Sequence, residues 1–258
     1  MDYQTIELVI RNDVAVITLN RPDVMNALNT QMRAEITHAV RAAEEDARVL
    51  VMTGAGRSFC SGQDLGDGGS AATLDLERTL RDEYVPMLRA IFDCKIPTIA
   101  AVNGPAAGAG ANLALAFDVV LASYDAYFVQ AFTRIGLIPD AGGTYWLPRQ
   151  VGSARAMGAS LFADKIDATQ AADWGMIYEA IPDTEFVGRW QARAAQLAAG
   201  PTAAYQHLKT AIRSASENTL DEQLALEAKL QGKCGQTRDF QEGVIAFLEK
   251  RPARYEGR

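Results

Sequence analysis

Two stretches decide how this chain is read. They are Val49-Leu50-Val51-Met52-Thr53-Gly54-Ala55-Gly56-Arg57-Ser58-Phe59-Cys60-Ser61-Gly62-Gln63-Asp64-Leu65 and Pro97-Thr98-Ile99-Ala100-Ala101-Val102-Asn103-Gly104-Pro105-Ala106-Ala107-Gly108-Ala109-Gly110-Ala111. Each sets a short apolar run, as expected of a strand buried on both faces, before a run rich in glycine and alanine. Small residues let a ligand approach the backbone, and the N–H groups at a helix start point outward with partial positive charge. Two such N–H groups converging would make an oxyanion hole. Close strand–helix packing accounts for the same residues, and spacing alone does not separate the two.

Upstream, Thr5 to Ile10 and Val14 to Leu19 read as strands joined by an Asn12-Asp13 turn, and Met32, Ile36 and Val40 place a helix over Thr30 to Asp46. The loop from Gly54 to Ser70 is long enough to suggest a functional one. A helix over Leu74 to Phe92 and a strand over Asp118 to Ala122 continue the alternation, which indicates α/β packing. Beyond Asp183 only helices are expected: Phe186 to Ala199, Thr202 to Ser216, Leu220 to Lys233 and Arg238 to Lys250. Their apolar positions, Leu220, Leu224, Leu226 and Leu230 among them, must be buried on the core or on another subunit.

The bulk properties narrow the function. With 258 residues, 48% of them hydrophobic, the chain can bury a large core. A net charge of −7 argues against nucleic acid as partner. No apolar stretch is long enough for a membrane span, and the N-terminus does not read as a signal peptide. Cys60, Cys94 and Cys234 lack metal or disulfide spacing, which fits reduced thiols in a cytoplasmic protein and no metal. Gly54-Ala55-Gly56 leads to Phe59 where a dinucleotide fingerprint needs its third glycine. Phe59-Cys60-Ser61-Gly62 lacks the first glycine of a nucleophile elbow. The two histidines, His38 and His207, fall on expected helices and read as ordinary helix residues.

Gly56 to Leu65, Ala101 to Ala111 and Ile138-Pro139-Asp140-Ala141-Gly142-Gly143-Thr144 resemble, in order and separation, the three signature segments of the crotonase (enoyl-CoA hydratase/isomerase) superfamily. Asn20-Arg21-Pro22 with Asn26-Ala27-Leu28, and Glu242 through Arg251, resemble its ends, so the likeness spans the chain. It implies an α/β spiral of ββα units over residues 1–195 and a helical trimerisation region over 196–258, in a homotrimer or a dimer of trimers. It also implies an acyl-coenzyme A substrate and no separate cofactor. Backbone N–H groups of Gln63 and Ala109 would form the oxyanion hole. Ala27, Ser61, Gln63, Asp64, Leu65, Phe247 and Lys250 would contact coenzyme A, although a solvated lysine and a packed phenylalanine explain the last two equally well.

Within the superfamily, hydratases hold water between two glutamates. Here Asn112 and Phe132 stand at those positions, beside the acyl pocket, and neither can act as a carboxylate. Asp140 occupies a place where several isomerases carry their catalytic aspartate, though Asp before Gly is also ordinary turn chemistry. Together with Phe132 to Asp140, Ala154 to Gly158, Trp174 to Ile177 and Asn218 to Asp221, these features resemble the ring-1,2-epoxyphenylacetyl-CoA isomerases of phenylacetate breakdown. The expectation is an isomerase with Asp140 as its proton carrier. A fatty-acid enoyl-CoA hydratase and a non-catalytic CoA- or RNA-binding relative are the alternatives.

Overall fold

The computed structural model describes residues 2–66 and 75–257. Strand β1 (Ile6–Arg11) and strand β2 (Val14–Leu19) form an antiparallel hairpin. Asn12 and Asp13 turn it with φ of 51° and 62°, the two left-handed positions of a tight hairpin turn that Asn and Asp tolerate best. Helix α1 spans Thr30–Asp46, as its apolar spacing predicts, because the Asn29 side chain accepts the Met32 N–H and caps its start. Strand β3 (Val49–Gly54) then pairs parallel with β2. Its alternate residues enter two different cores: Leu50 and Met52 face one side, Val49 and Val51 the other.

The expected helix after the Gly-rich loop is present in three joined pieces. Helix α2 (Leu76–Thr79), capped by Asp75, passes through one π turn at Leu80–Tyr84 into α3 (Val85–Asp93). Its expected start at Leu74 lies outside the described residues, as does the end of the Gly54-to-Ser70 loop. Strand β4 (Thr98–Val102), β5 (Ala106–Ala107), helix α4 (Ala109–Leu115), β6 (Val119–Ser123) and β7 (Tyr127–Val129) follow. Beyond them lie α5 (Gly143–Val151), α6 (Ser153–Phe162), β8 (Ile166–Asp167), α7 (Ala168–Asp173) and β9 (Glu179–Ile181). The main sheet has the order β1-β2-β3-β4-β6-β9, parallel except for the first pair, and β5-β7-β8 make a second, small sheet. Single bridges, Leu28 with Gln63 and Cys60 with Ala106, add the Gly-rich loop to that second layer.

Helix α8 (Asp183–Ala198) covers the outer face of the main sheet with Phe186, Trp190, Ala194 and Ala198, so the expected division after residue 195 falls inside a core-packed helix. Helices α9 (Thr202–Ser214), α10 (Leu220–Cys234) and α11 (Arg238–Leu248) form the tail. A single carboxylate pins α9 to the core. Asp118 receives Lys209 Nζ at 2.7 Å and Arg213 Nη2 at 2.6 Å, while Lys209 also donates to the carbonyls of Cys94 and Ile96. The tail leaves an apolar groove lined by Leu208, Ile212, Leu224, Val244 and Phe247. Leu220 and Phe247 are largely exposed, whereas Leu230 is buried. Among the described residues, no helix is long and apolar enough to cross a membrane, and no cluster of metal-ligating side chains occurs.

Asp118 also accepts the Thr98 N–H and hydroxyl, so it couples β4 to α9. Asp118→Ala would leave the nearly buried Lys209 ammonium and the Arg213 guanidinium without their counter-charge. The expected loss is about 3–5 kcal/mol of unfolding free energy. Urea unfolding checks this, and a midpoint equal to wild type would contradict the clamp.

Candidate active site

The Gly-rich loop after β3 and the turn before α4 meet backbone to backbone. Cys60 N–H donates to the Pro105 carbonyl, and Ala107 N–H returns a bond to the Cys60 carbonyl at 2.9 Å. No side chain fits between them. A Cβ on Gly110 would lie 2.3 Å from the Cys60 carbonyl oxygen, and one on Gly62 would lie 2.8 Å from that of Ala107. Two buttresses hold the loop from outside. The buried Asn26 amide donates to the carbonyls of Ala55 and Ser58, while Asn103 accepts the Gly54 N–H and donates to Gly56.

This interlock aims two backbone donors. In the Leu28–Gln63 bridge, Leu28 donates to Gly62 and accepts from Asp64, so the N–H of Gln63 points away from that partner strand. Gly62, its neighbour, stands against the other donor: a Cβ there would come 3.4 Å from the nitrogen of Ala109. Ala109 opens α4, and Gly108 before it has φ 51° and ψ −124°, a conformation open to glycine alone. Among the described residues neither the Gln63 nor the Ala109 N–H has an acceptor. Two unspent donors side by side are the elements of an oxyanion hole.

The Gln63 side chain is anchored by residues that the sequence reading did not single out. Its Oε1 accepts Arg33 Nη1 at 2.9 Å and the Tyr84 hydroxyl at 2.7 Å, and its Nε2 donates to the Asp64 carbonyl. Arg33 is buried, donates to the Leu28 carbonyl, and pairs with Glu83 at 2.6 Å. Glu83 and Tyr84 both come from the π turn, an element often found at functional sites. Arg33 directly follows Met32 on the apolar side of α1, and that is the one signal by which it could have been noticed.

Asp140 begins a tight turn at the entrance to α5. Ala141 and Gly142 have φ of 48° and 83°, and the Gly143 N–H closes the turn on the Asp140 carbonyl at 2.8 Å. A left-handed alanine costs on the order of 1 kcal/mol, so the surroundings must impose the turn. The Asp140 carboxylate is half-buried, and its Oδ1 has no hydrogen-bond partner among the described residues. Burial raises its pKa to about 6, against a bond from its own backbone that pulls the other way. Its charge also reaches Tyr84, the residue that bonds Gln63, so the carboxyl lies within electrostatic range of the donor loop.

The remaining residues take distinct places. Phe132 is buried, its ring tip 3.7 Å from where a Gly108 Cβ would be, and so it walls the Ala109 side. Asn112 is fully buried, its amide engaged at both ends by the Asp140 carbonyl and the Gln130 amide. Ala27, Ser61, Asp64 and Leu65 cluster around the donor loop. The Ala27 carbonyl and the Asp64 carboxylate share Arg21 Nη1, and Leu65 is exposed. Phe247 and Lys250 stand at the exposed end of α11, where Phe247 lines the tail groove instead of the donor loop. Two other acids near the loop are engaged: Asp64 by Arg21, and Glu83 by Arg33 and Arg78. Burial alone would raise the Glu83 carboxyl, but hydrogen bonds from Arg33 and Thr30 and the nearby arginine charges hold it below its usual range. Tyr145 and Trp146 meet edge to face, and both pack against Phe92. Cys60 is inert, its thiol pushed up to about 12 by burial.

The comparisons with known proteins agree with this architecture. The sequence pattern described as "Enoyl-CoA hydratase/isomerase" matches residues 9–258. A Rhodobacter capsulatus protein named "Probable enoyl-CoA hydratase" is 61% identical over the whole of both chains. The 1,2-epoxyphenylacetyl-CoA isomerase of Escherichia coli is 44% identical over 96% of this chain and 97% of its own. The crystal structure of an enoyl-CoA hydratase from Polaromonas sp. JS666 superposes with a TM-score of 0.92 at 32% identity, covering 97% of this chain and 99% of that one. With two facing donor turns on this fold and a family match over nearly its whole length, the chain belongs to the enoyl-CoA hydratase/isomerase, or crotonase, family.

Proposed function

We propose that this member of the family is a coenzyme A thioester isomerase that works with one carboxyl group, Asp140. The observation that carries the reading is the partly desolvated Asp140 carboxylate, whose Oδ1 has no hydrogen-bond partner among the described residues, set within electrostatic range of the donor loop. In the reaction the Asp140 carboxylate takes a proton from the carbon next to the thioester carbonyl. The electron pair moves onto the carbonyl oxygen, and the Gln63 and Ala109 N–H groups bond the resulting oxyanion. The same proton then returns from Asp140 to the carbon two positions along, and the double bond moves from the 3- to the 2-position. A carboxyl titrating near 6 suits both halves of the shuttle, since it is ionised at neutral pH yet basic enough to take a proton.

The E. coli relative's name supports a ring-epoxidised phenylacetyl-CoA as the physiological substrate, which we expect to be opened to the oxepin, beside isomerisation of 3-enoyl-CoA. The R. capsulatus relative's name favours a second reading, hydration of a 2-enoyl-CoA. Hydration needs a group to hold and deprotonate water opposite the first carboxyl. Phe132 cannot do this, and the Asn112 amide is engaged elsewhere. Coenzyme A is then part of the substrate, with no separate cofactor, and lies along Ala27, Ser61, Asp64 and Leu65. The apolar faces of α10 and α11 are the surfaces on which a trimer or a pair of trimers would assemble, with Phe247 and Lys250 offered to a neighbour's coenzyme A.

Asp140→Asn should lower kcat for isomerisation of a 3-enoyl-CoA by about 10²–10⁴-fold with KM little changed. Wild type should hydrate crotonyl-CoA slowly if at all. A folded Asp140→Asn protein with wild-type turnover would remove Asp140 as the base, and hydration at hundreds per second would restore the hydratase reading.

The raised pKa of Asp140 has a further consequence. Asp140 titrates near 3.8 when exposed and near 6 in the fold, so between these values the native chain keeps a proton that the unfolded chain has lost. Stability therefore falls as pH rises through that window, and the penalty is complete above it. Asp140→Asn escapes the penalty and should be more stable than wild type at neutral pH by about 1–2 kcal/mol, allowing for partial solvent screening. The gain should shrink towards pH 4. Unfolding at several pH values measures this, and a gain that is constant with pH would contradict it.

A further inference from the structure

Asn112 is set in α4 three residues beyond Ala109, a rise of roughly 4.5 Å along the helix. It has no exposure, and both polar atoms of its amide are engaged. Nδ2 donates to the main-chain carbonyl of Asp140 at 2.7 Å, and Oδ1 accepts Gln130 Nε2 at 2.8 Å. A carbonyl oxygen can only accept, so the Asp140 end fixes which amide atom faces it, and the Oδ1 end must meet a donor. Gln130 supplies that donor from the residue after β7, itself 1% exposed. The fit is tight: a Cβ on Gly143 would lie 2.3 Å from Asn112 Nδ2 and 2.8 Å from its Cγ. The turn held in this way is the one that carries a left-handed Ala141.

We propose that Gln130 and Asn112 form a two-amide clamp that positions Asp140 relative to the Ala109 donor, making Asn112 a positioning residue and not a substrate contact. The inference rests on Asp140 being the base. Because Ala109 and Asn112 belong to the same short helix, the bond to the Asp140 carbonyl ties the carboxyl and one oxyanion donor to a single rigid element. A carboxylate at 112 would set oxygen against oxygen at the Asp140 carbonyl, and the turn would have to move. Displacement of a reacting group by about 1 Å can cost on the order of 10²-fold in rate.

The test uses Asn112→Asp, which keeps shape and the acceptor for Gln130 but loses the donor to Asp140. Gln130→Leu, which leaves Asn112 in place and frees its far end, serves as a second variant if the first does not fold. With a 3-enoyl-CoA substrate, each should lower kcat by about 10–100-fold while KM stays within about threefold of wild type. Each is then combined with Asp140→Asn. If the clamp acts through Asp140, either substitution should change the residual rate of Asp140→Asn by less than about twofold. Losses that multiply fully in the double variants, or a KM rise that accounts for the loss, would overturn the clamp. So would full wild-type kcat in a folded Asn112→Asp or Gln130→Leu protein. The underlying reading fails separately, when Asp140→Asn alone retains wild-type turnover.

Discussion

The structure depends on two main-chain segments lying against each other with no side chain between them. Where the loop after β3 meets the turn before α4, Gly62, Gly104 and Gly110 each face a carbonyl oxygen of the opposing segment at a distance that a Cβ would clash with. The backbone bonds between Cys60, Pro105 and Ala107 close that seam. Everything functional is referred to it. Gln63 lies on one side of the seam and Ala109 on the other, and their N–H groups, unspent among the described residues, are brought near each other because the two segments approach so closely. An added methyl group at any of these glycines would separate the donors before it touched a ligand.

Around that seam the protein uses two kinds of polar support. On the loop side a buried ion pair, Arg33 with Glu83, holds the Gln63 side chain through charge-assisted bonds. Elsewhere neutral amides do the work, Asn112 and Gln130 for the Asp140 turn on the helix side and Asn26 and Asn103 for the start of the loop. The difference has an electrostatic consequence. The arginines hold Glu83 ionised, whereas among the described residues no cation bonds Asp140, whose acidity is set chiefly by burial. Two carboxyl groups near one site thus have opposite proton affinities, and only Asp140 is left with an oxygen free to work.

Much of the fold was legible in the sequence, and the reasons are local. Thr30–Asp46 was readable residue for residue because its apolar spacing, Met32, Ile36 and Val40, is set within the helix itself. Strands β3, β4 and β6 were readable because burial leaves short runs of valine, isoleucine, leucine and alanine, and β1 and β2 because of their β-branched residues, whereas the three-residue β9 was not among the expected strands. The sheet β5-β7-β8 was not, since strands of two and three residues carry no periodicity and are defined by their partners. The site was legible in the same uneven way. Glycines forced by close approach stand out in sequence, and the family likeness points to Asp140. Nothing local marks Tyr84 or Gln130, and Arg33 shows only as the neighbour of Met32; their bonds to Gln63 and Asn112 join residues 18 to 30 apart in sequence. Asp140 joins both readings of its sequence: it begins a tight turn, and its carboxyl is still unspent.

The central claim is that burial holds the Asp140 carboxyl poised to accept and return a proton beside the two donors. Carbon-13 NMR titration of that carboxyl, assigned by comparison with Asp140→Asn and set beside the pH dependence of kcat/KM for a 3-enoyl-CoA, tests it most directly. The account predicts that the carboxyl titrates near 6 and that the rate falls on the acid side with the same midpoint. A carboxyl titrating at its ordinary value near 3.8, or an acid limb whose midpoint does not follow it, would contradict the account.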